Sequence, residues 1–588
     1  MRELYFENWR LAVLPVAFVF VAVVSTVWLQ LVSWNVPNPY LDEVFHVQQA
    51  QAYCAGAFRQ WDPKITTPPG LYITSYIFYR LTGRCDIFIL RSQNAILICM
   101  MLGEAVDILR RLRQANLQKA SQQSIQGDGG VRAAILDVHT ATNICLFPPL
   151  FFFSSLYYTD VMSTWCVLQC YKYYLQSREP DSSGGQAAVT VIVGGFVSLW
   201  YRQTNIFWVA VFPAGLSVLD ALKGGNTISK SEAGDIDWSA LANQSWQYSE
   251  VYDCPVCDAT LEDYVAVILS VGLAALGKIP AILISVAPYL VVLGIFGGFV
   301  AWNGSVVLGD KSNHVATLHF PQMLYIWPYI MFFSFTLAVP LLLGPLVRML
   351  LQGVVESSSE GHLGGSFNQK PPRIILSAVF IALGSAAVHY NTIVHPFTLA
   401  DNRHYVFYVF RLLLRHPALK YMAVLVYIFC GWAAIQCFGF KPINGPPDQT
   451  ITSRRNRKGK SKALETRENH DQSCQVSFVI VWLATTALSV ITAPLVEPRY
   501  FIIPWIMWRL HVPSIAASPS SSDATRDSPS KSPSLWKKVT QALGQGYDLR
   551  LWLETAWFFM INFFTAYMFL YRGFVWPQEP GKVQRFMW

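Results

Sequence analysis

Apolar runs long enough to cross a bilayer recur from residue 11 to residue 571. Spanning takes about 20 predominantly apolar residues in helical form, and no soluble fold of this length can bury so many such runs. The candidates are 11–33, 87–105, 134–152, 157–176, 188–203, 204–221, 283–302, 323–348, 373–390, 418–438, 475–494, 497–510 and 551–571. Charge content agrees: only 14% of the 588 residues are charged, against about a quarter in a soluble domain. The expectation is an all-α polytopic membrane protein with roughly 12–14 transmembrane helices, built as one domain over 1–588.

The first run, Leu11 to Val32, is longer than the apolar core of a signal peptide and leads into Trp34, Asn35 and Pro37, so it reads as a retained span. Three basic stretches assign the sides: Arg110-Arg111-Leu112-Arg113 with Lys119, Arg454-Arg455-Asn456-Arg457-Lys458 with Lys460 and Lys462, and Lys531 to Lys538. Basic residues are retained on the cytoplasmic side. Because each stretch lies between spans, a nucleic-acid partner is not expected. Residues 34–86, 303–322 and 391–417 then fall on the luminal, non-cytoplasmic side. Within 263–302, one span plus an interfacial helix keeps the parity. Segments 121–130, 224–258, 440–474 and 514–545 read as flexible inserts, the last three cytoplasmic, because their Ser, Gly, Asp and Pro content cannot build a core. On this topology the Asn243 sequon stays bare, and Asn303 lies too near a span for ready glycosylation.

Ionisable residues at membrane ends are functional candidates by default, and here they concentrate in the luminal segments. In Asn38-Pro39-Tyr40-Leu41-Asp42-Glu43, Asn38 suits an N-cap and Pro39 a first helical position. A helix from there places Asp42, His46, Gln49 and Tyr53 on one stripe. An ordinary capped surface helix, whose acids favour the N-terminal dipole, accounts for the same spacing. The Pro68-Pro69-Gly70 turn after Trp61 reads as structural. Lys311, His314 and His319 with Asp310, and Asp401 with Arg403 and His404, are further candidates. Arg403 beside His404 suits an anionic ligand. The mixed spacing of His389, His395 and His404 argues against a metal, and Cys254-x-x-Cys257 lacks two further ligands at fitting spacing. Cys145, Cys166 and Cys430 read as packing residues. Cys54 and Cys85 share one luminal loop, and their pairing is left open.

The segments PYLDEVFHVQQAQAYC, WDPKITTPPGLY, LYYTD (156–160), YRQTN (201–205), GDKSNHVATLH, HPFTLADNRHYVFY and the terminal RFMW, in this order, resemble the family of dolichyl-phosphate-glucose-dependent alpha-1,2-glucosyltransferases. The resemblance runs from residue 35 to residue 588, and the chain departs from it mainly in the inserts. It implies a GT-C architecture in the endoplasmic-reticulum membrane, with the active site facing the lumen. It also implies a dolichyl-phosphate-glucose donor and a diglucosylated, mannose-rich oligosaccharide on dolichyl diphosphate as acceptor. An essential acid is implied in the first luminal loop, 34–86, where Asp42 and Glu43 stand. The donor is a beta-phosphoglucoside and the product linkage alpha, so the reaction inverts and one carboxylate base suffices.

Asp42 is preferred as base because it shares the stripe with His46, Gln49 and Tyr53; Glu43 would hold a sugar hydroxyl or pair with a basic residue. Lys311, His314, Arg403 and His404, with Arg202 and Arg499 if they share that side, are the candidate donors to the phosphate. A monophosphate leaving group lessens the need for a metal, so no metal and no cofactor is expected. Membrane lipid surrounds the chain, which is expected to work alone. Two other readings stay open: another dolichyl-phosphate-sugar-dependent GT-C transferase, and a non-enzymatic lipid scramblase or transporter. Transporters commonly carry internal repeats and mid-span charges, and neither is seen here.

Overall fold

The computed structural model describes residues 13–119, 128–179, 183–224, 227–229, 236–311, 317–351, 373–394, 396–440, 474–493, 495–514, 547–577 and 579–588. The fold is almost wholly helical. Its first half comprises α1 (Val13–Asn35), α2 (Glu43–Cys54), α3 (Gly70–Thr82), α4 (Ile87–Lys119), α5 (Asp128–Cys145), α6 (Pro148–Phe153), α7 (Asp160–Ser177), α8 (Gly184–Leu199) and α9 (Phe212–Lys223). Strand β1 (Thr227–Ser229) pairs in parallel with β2 (Val251–Asp253) across α10 (Trp238–Tyr248). There follow α11 (Leu261–Gly277), α12 (Ile279–Asn303), α13 (Gln322–Leu351), α14 (Ile374–Asn391), α15 (Pro396–Ala400), α16 (Tyr405–Leu413), α17 (Pro417–Phe438), α18 (Val476–Ile491), α19 (Ile502–His511) and α20 (Leu549–Tyr571). A short antiparallel pair, β3 (Phe574–Val575) and β4 (Val583–Gln584), precedes the C-terminus.

Among the described residues, seven helices are long and apolar enough to cross a membrane by length and composition. They are α1, the broken helix Gln203–Lys223 that ends in α9, α12, α13 over Gln322–Leu342, α14, α17 and α20. The protein is thus polytopic, but several expected runs are shorter or more polar than a free-standing span. The 134–152 run is broken before Pro148. The 497–510 run becomes a 3-10 turn and a 10-residue helix. The 157–176 run is α7, which begins only at Asp160 and is buried on nearly every side. A helix walled by other helices needs little lipid-facing apolar surface, which is why hydropathy alone does not delimit it.

Helix ends define two opposite faces. At one end of α4 lies Arg91; farther along it, Arg111 pairs with Asp107 and Glu179. Helix α7 runs from Asp160 for 18 residues, about 27 Å at 1.5 Å per residue, and beyond its far end Arg178 pairs with Asp220 of α9 at 2.6 Å. Lys223 at the end of α9 pairs with Asp253 of β2, whose carboxylate also accepts from Ser477 at the start of α18. The site described below and the basic end are therefore separated by about the thickness of a hydrocarbon core.

Residues 236–258 correct the expectation of a coreless insert. Asp237 caps α10 through Ser239 N and Ala240 N, and Leu241, Val251, Tyr252, Cys254 and Val256 are buried. Tyr252 donates from its backbone N–H to Ser270 Oγ and from its hydroxyl to Asp263, so the unit lies along α11. Helix α11 breaks at Lys278 before the long apolar α12. Most of 121–130, 440–474 and 514–545 lies outside the described residues. The centre of the bundle is aromatic: Phe147 stacks on Trp505 with ring centroids 3.7 Å apart, and Trp505 donates to Ser334 where α13 kinks.

Candidate active site

The loop that follows α1 is held by four devices. Pro37 and Pro39 end α1, whose last residue Asn35 donates from its side chain to Leu31 O. Cys54 and Cys85 are joined by a disulfide, closing the segment between α2 and α4. Gln49 clamps the following turn, donating to Gln60 O at 2.7 Å and accepting from Asp62 N at 2.9 Å. Segment 303–310 then docks on that turn: Leu308 N donates to Thr66 O at 3.0 Å and Asp310 N to Pro63 O at 2.7 Å. Gly309 makes this approach with φ +63°, and a Cβ there would lie 2.3 Å from Pro63 O.

Helix α2 begins at Glu43, four residues later than Pro39 suggested. The reason is local: Leu41 takes φ 52°, Tyr40 N donates to Glu43 Oε2, and Asn38 O accepts from Arg91. This turn points the two adjacent acids apart. Glu43 is wholly buried and accepts from Arg91 Nε (2.9 Å), Arg91 Nη2 (2.6 Å), Tyr157 N (2.7 Å) and Tyr40 N (3.1 Å). Asp42 occupies the N-cap position without capping the helix, and its side chain is 51% exposed.

Asp42 faces a charge cluster. Arg499 reaches Asp42 at 3.5 Å, Asp160 at 3.9 Å and Glu497 at 2.7 Å, while Arg202 pairs with Asp160 at 2.9 Å. The guanidinium of Arg499 also lies over the rings of Phe153 and Tyr158, 5.7 Å from each centroid. Arg202 and Arg499 therefore share the side of Asp42, as two of the expected phosphate donors. Asp160, Glu497, Tyr158 and Arg91 are the members that sequence reasoning did not single out. Arg91 inside an apolar run was a legible signal, since a buried cation demands a partner. Asp160 stood in LYYTD and Glu497 two residues before Arg499, but neither carried a spacing that marks a role.

His46 stands one turn after Asp42, with Nδ1 2.6 Å from Tyr72 Oη and its ring against Tyr158. Burial pushes its pKa below the usual imidazole range, opposed by the Asp42 carboxylate, so it is neutral near pH 7. Gln49 is consumed by the loop clamp, and Tyr53 packs against Phe58 and Tyr72. Lys311 caps Asn303 O, while Asn303 Nδ2 turns inward to Ser305 O and Val307 O. His319 is buried, accepting from Ile393 N, and burial lowers its pKa to about 4. His314 and His395 lie outside the described residues.

Asp401, Arg403 and His404 form a separate cluster with the C-terminal residues. Arg403 is bidentate on Asp401, donates to Gln584 and lies over Trp576. Burial raises the Asp401 pKa, but the Arg403 hydrogen bonds outweigh it and leave the carboxyl below its ordinary range. His404 Nδ1 is 3.0 Å from Trp588 O, and Met587 N donates to Arg403 O. Tyr40 joins the clusters: its carbonyl accepts from Tyr158 Oη, and its hydroxyl bonds the backbone of Arg585. His389 is occupied by Tyr421. Among the described residues no three His, Cys, Asp or Glu side chains converge as a metal site.

Known proteins place the arrangement in a lineage. Residues 36–510 match the DIE2/ALG10 family. Proteins of Aspergillus fumigatus and Emericella nidulans are 41% and 39% identical to this chain, over 97% and 96% of both partners' lengths. A protein of Mus musculus is 29% identical over 96% of both. Each of the three is called Dol-P-Glc:Glc(2)Man(9)GlcNAc(2)-PP-Dol alpha-1,2-glucosyltransferase. Among solved structures, apo oligosaccharyltransferase of Archaeoglobus fulgidus aligns with 93% of this chain and 64% of that one, at 13% identity and a TM-score of 0.24, too slight to argue from. Matched from the turn after α1 through the Arg499 segment, the chain belongs to the DIE2/ALG10 family.

Proposed function

We propose that this chain transfers glucose from dolichyl-phosphate-glucose, in alpha-1,2 linkage, to Glc(2)Man(9)GlcNAc(2)-diphosphodolichol. The reaction takes place at the luminal face of the endoplasmic-reticulum membrane, on a GT-C scaffold. The substrates follow from the names of relatives that align over nearly the whole chain. The basic helix ends opposite the site and the disulfide, a bond of oxidising compartments, support the luminal side.

The observation that carries the mechanism is the contrast between neighbouring acids. Glu43 is enclosed with four donors on its carboxylate, whereas Asp42 is half exposed beside Arg499. Asp42 takes the proton from the acceptor hydroxyl as that oxygen bonds the anomeric carbon from the face opposite the phosphate. The carbon–oxygen bond to phosphate breaks and its electron pair leaves with dolichyl phosphate. One displacement inverts the centre, and no second nucleophile is needed. Arg499 and Arg202 meet the charge that develops on the phosphate. Both are already balanced by Asp160 and Glu497, which hold the guanidinium planes before the donor arrives.

The test is an assay of membranes bearing the full chain, supplied with donor and the diglucosylated acceptor. One hexose is expected to be added, and Asp42→Asn to lower the rate by about 10²–10⁴ at normal accumulation. An Asp42→Asn protein that retains wild-type turnover overturns the assignment of the base. Extension of an earlier intermediate, in place of this acceptor, overturns the substrate assignment and leaves the base to be retested.

A further inference from the structure

A cavity of about 200 Å³ lies between α3, α4, α7 and Tyr201. Tyr201 adjoins Arg202, and its hydroxyl is 2.7 Å from Thr74 Oγ1 on α3. Most of the wall is hydrocarbon, and Ile96 and Met100, one turn apart on α4, are 46% and 47% exposed on the apolar outer surface. The wall thus reaches the apolar outer surface at Ile96 and Met100, and two of its residues, Met162 and Tyr201, stand two and one positions from Asp160 and Arg202 of the charge cluster. An apolar cavity of about 150 Å³ already holds a benzene ring, so this one accommodates a five-carbon isoprene unit.

Two polar atoms on the wall are unmatched. Gln93 is 1% exposed, and its Oε1 accepts from Ser75 while its Nε2 has no partner. The Trp165 indole N–H is likewise buried without an acceptor. Unpaired buried donors are costly and uncommon. Both atoms are shielded behind the cavity wall, whose surface is almost wholly hydrocarbon, so the cavity suits a prenyl chain. The two lipid substrates differ here. The donor's reacting carbon is bonded to the phosphate that carries the chain. In the acceptor a long oligosaccharide separates the reacting hydroxyl from the lipid. Only the donor's chain must therefore enter the membrane within one phosphate of Asp42.

We infer that this cavity seats the phosphate-proximal isoprene of the dolichyl-phosphate donor. The inference rests on the donor assigned above and names the place where its lipid is read.

Two measurements on the full chain in lipid nanodiscs test it. First, dolichyl phosphate with a photoreactive diazirine on that isoprene is crosslinked to the wild type. Labelling of α4 or α7 around Ile96, Met100 or Trp165 is expected, and labelling confined to other helices overturns the inference. Second, Ile96→Trp fills the cavity from its lipid-exposed mouth. It is expected to raise KM for dolichyl-phosphate-glucose about tenfold, within the range of apolar-pocket discrimination. The acceptor KM stays unchanged, and the KM for short-chain citronellyl-phosphate-glucose, which keeps the phosphate-proximal isoprene, rises with that of the full-length donor. An unchanged donor KM, or a rise in acceptor KM instead, overturns it. If the wild type transfers no glucose, the functional reading falls, and crosslinking with dolichyl phosphate still decides the cavity.

Discussion

Asp42 and Glu43 are adjacent, chemically alike and opposite in consequence. Glu43 with Arg91 is a buried bidentate pair that also fastens Val36, Asn38, Tyr40 and Tyr157. Removing one member of such a pair leaves the other charged and enclosed, at a cost of about 3–5 kcal/mol. Glu43→Gln is accordingly expected to lower accumulation and thermal stability, measured by fluorescence-detected size exclusion after heating. Asp42→Asn, at a half-exposed position, should leave both near wild type. If Glu43→Gln accumulates normally while only turnover falls, the two acids have exchanged roles. Asp160 stands between these extremes: buried, paired with Arg202, and within 3.9 Å of Arg499. Asp160→Asn is expected to raise the donor KM by misplacing both arginines, with fold intact.

At the scale of elements, the site depends on segments far apart in sequence that meet through backbone hydrogen bonds. Gly309→Ala tests the docking of 303–310 on 62–66. The left-handed conformation costs an alanine about 1–2 kcal/mol, and its Cβ meets the Pro63 carbonyl. The expected result is reduced kcat/KM with both acids untouched; an unaltered kcat/KM would show that this contact does not shape the site. The Cys54–Cys85 bond limits the unfolded loop between α2 and α4, a constraint typically contributing about 2–4 kcal/mol. Cys54→Ser with Cys85→Ser should lower the apparent melting temperature, and wild type in reductant should approach the double variant.

For the molecule as a whole, acid sensitivity follows from buried neutral histidines outside the spans. Burial depresses His46, and holds His319 at about 4. An unfolded histidine titrates near 6.5, so below that pH the unfolded chain binds protons that the folded chain refuses. Stability is therefore full above about pH 6.5 and declines as pH falls towards 4. The groups facing His46 are Asp42, Glu43, Asp160 and Arg499, and those carboxylates temper its share. His319→Gln should flatten thermal stability plotted against pH between 6.5 and 4. A slope equal to wild type would exclude His319 as a contributor.

Much was legible in residue order. Apolar length and low charge imposed a helical membrane protein, because a bilayer leaves the backbone no other common way to satisfy its hydrogen bonds. The segment leading into α2 carried the acid pair. Hydropathy overstated how many runs stand alone as spans, because enclosed helices such as α7 answer to protein neighbours and not to lipid. Composition misjudged residues 236–258, whose few apolar side chains suffice once α11 lies against them. Helix spacing aligned Asp42 with Gln49, but the structure spends Gln49 on the loop; it joined Arg403 to Asp401 and left Arg499 facing Asp42. Which charge meets which is set by long-range packing: Glu43 meets Arg91 across 48 positions and Asp42 meets Arg499 across 457. Local pattern marks the surface a helix presents, and only the tertiary fold determines which partner covers it.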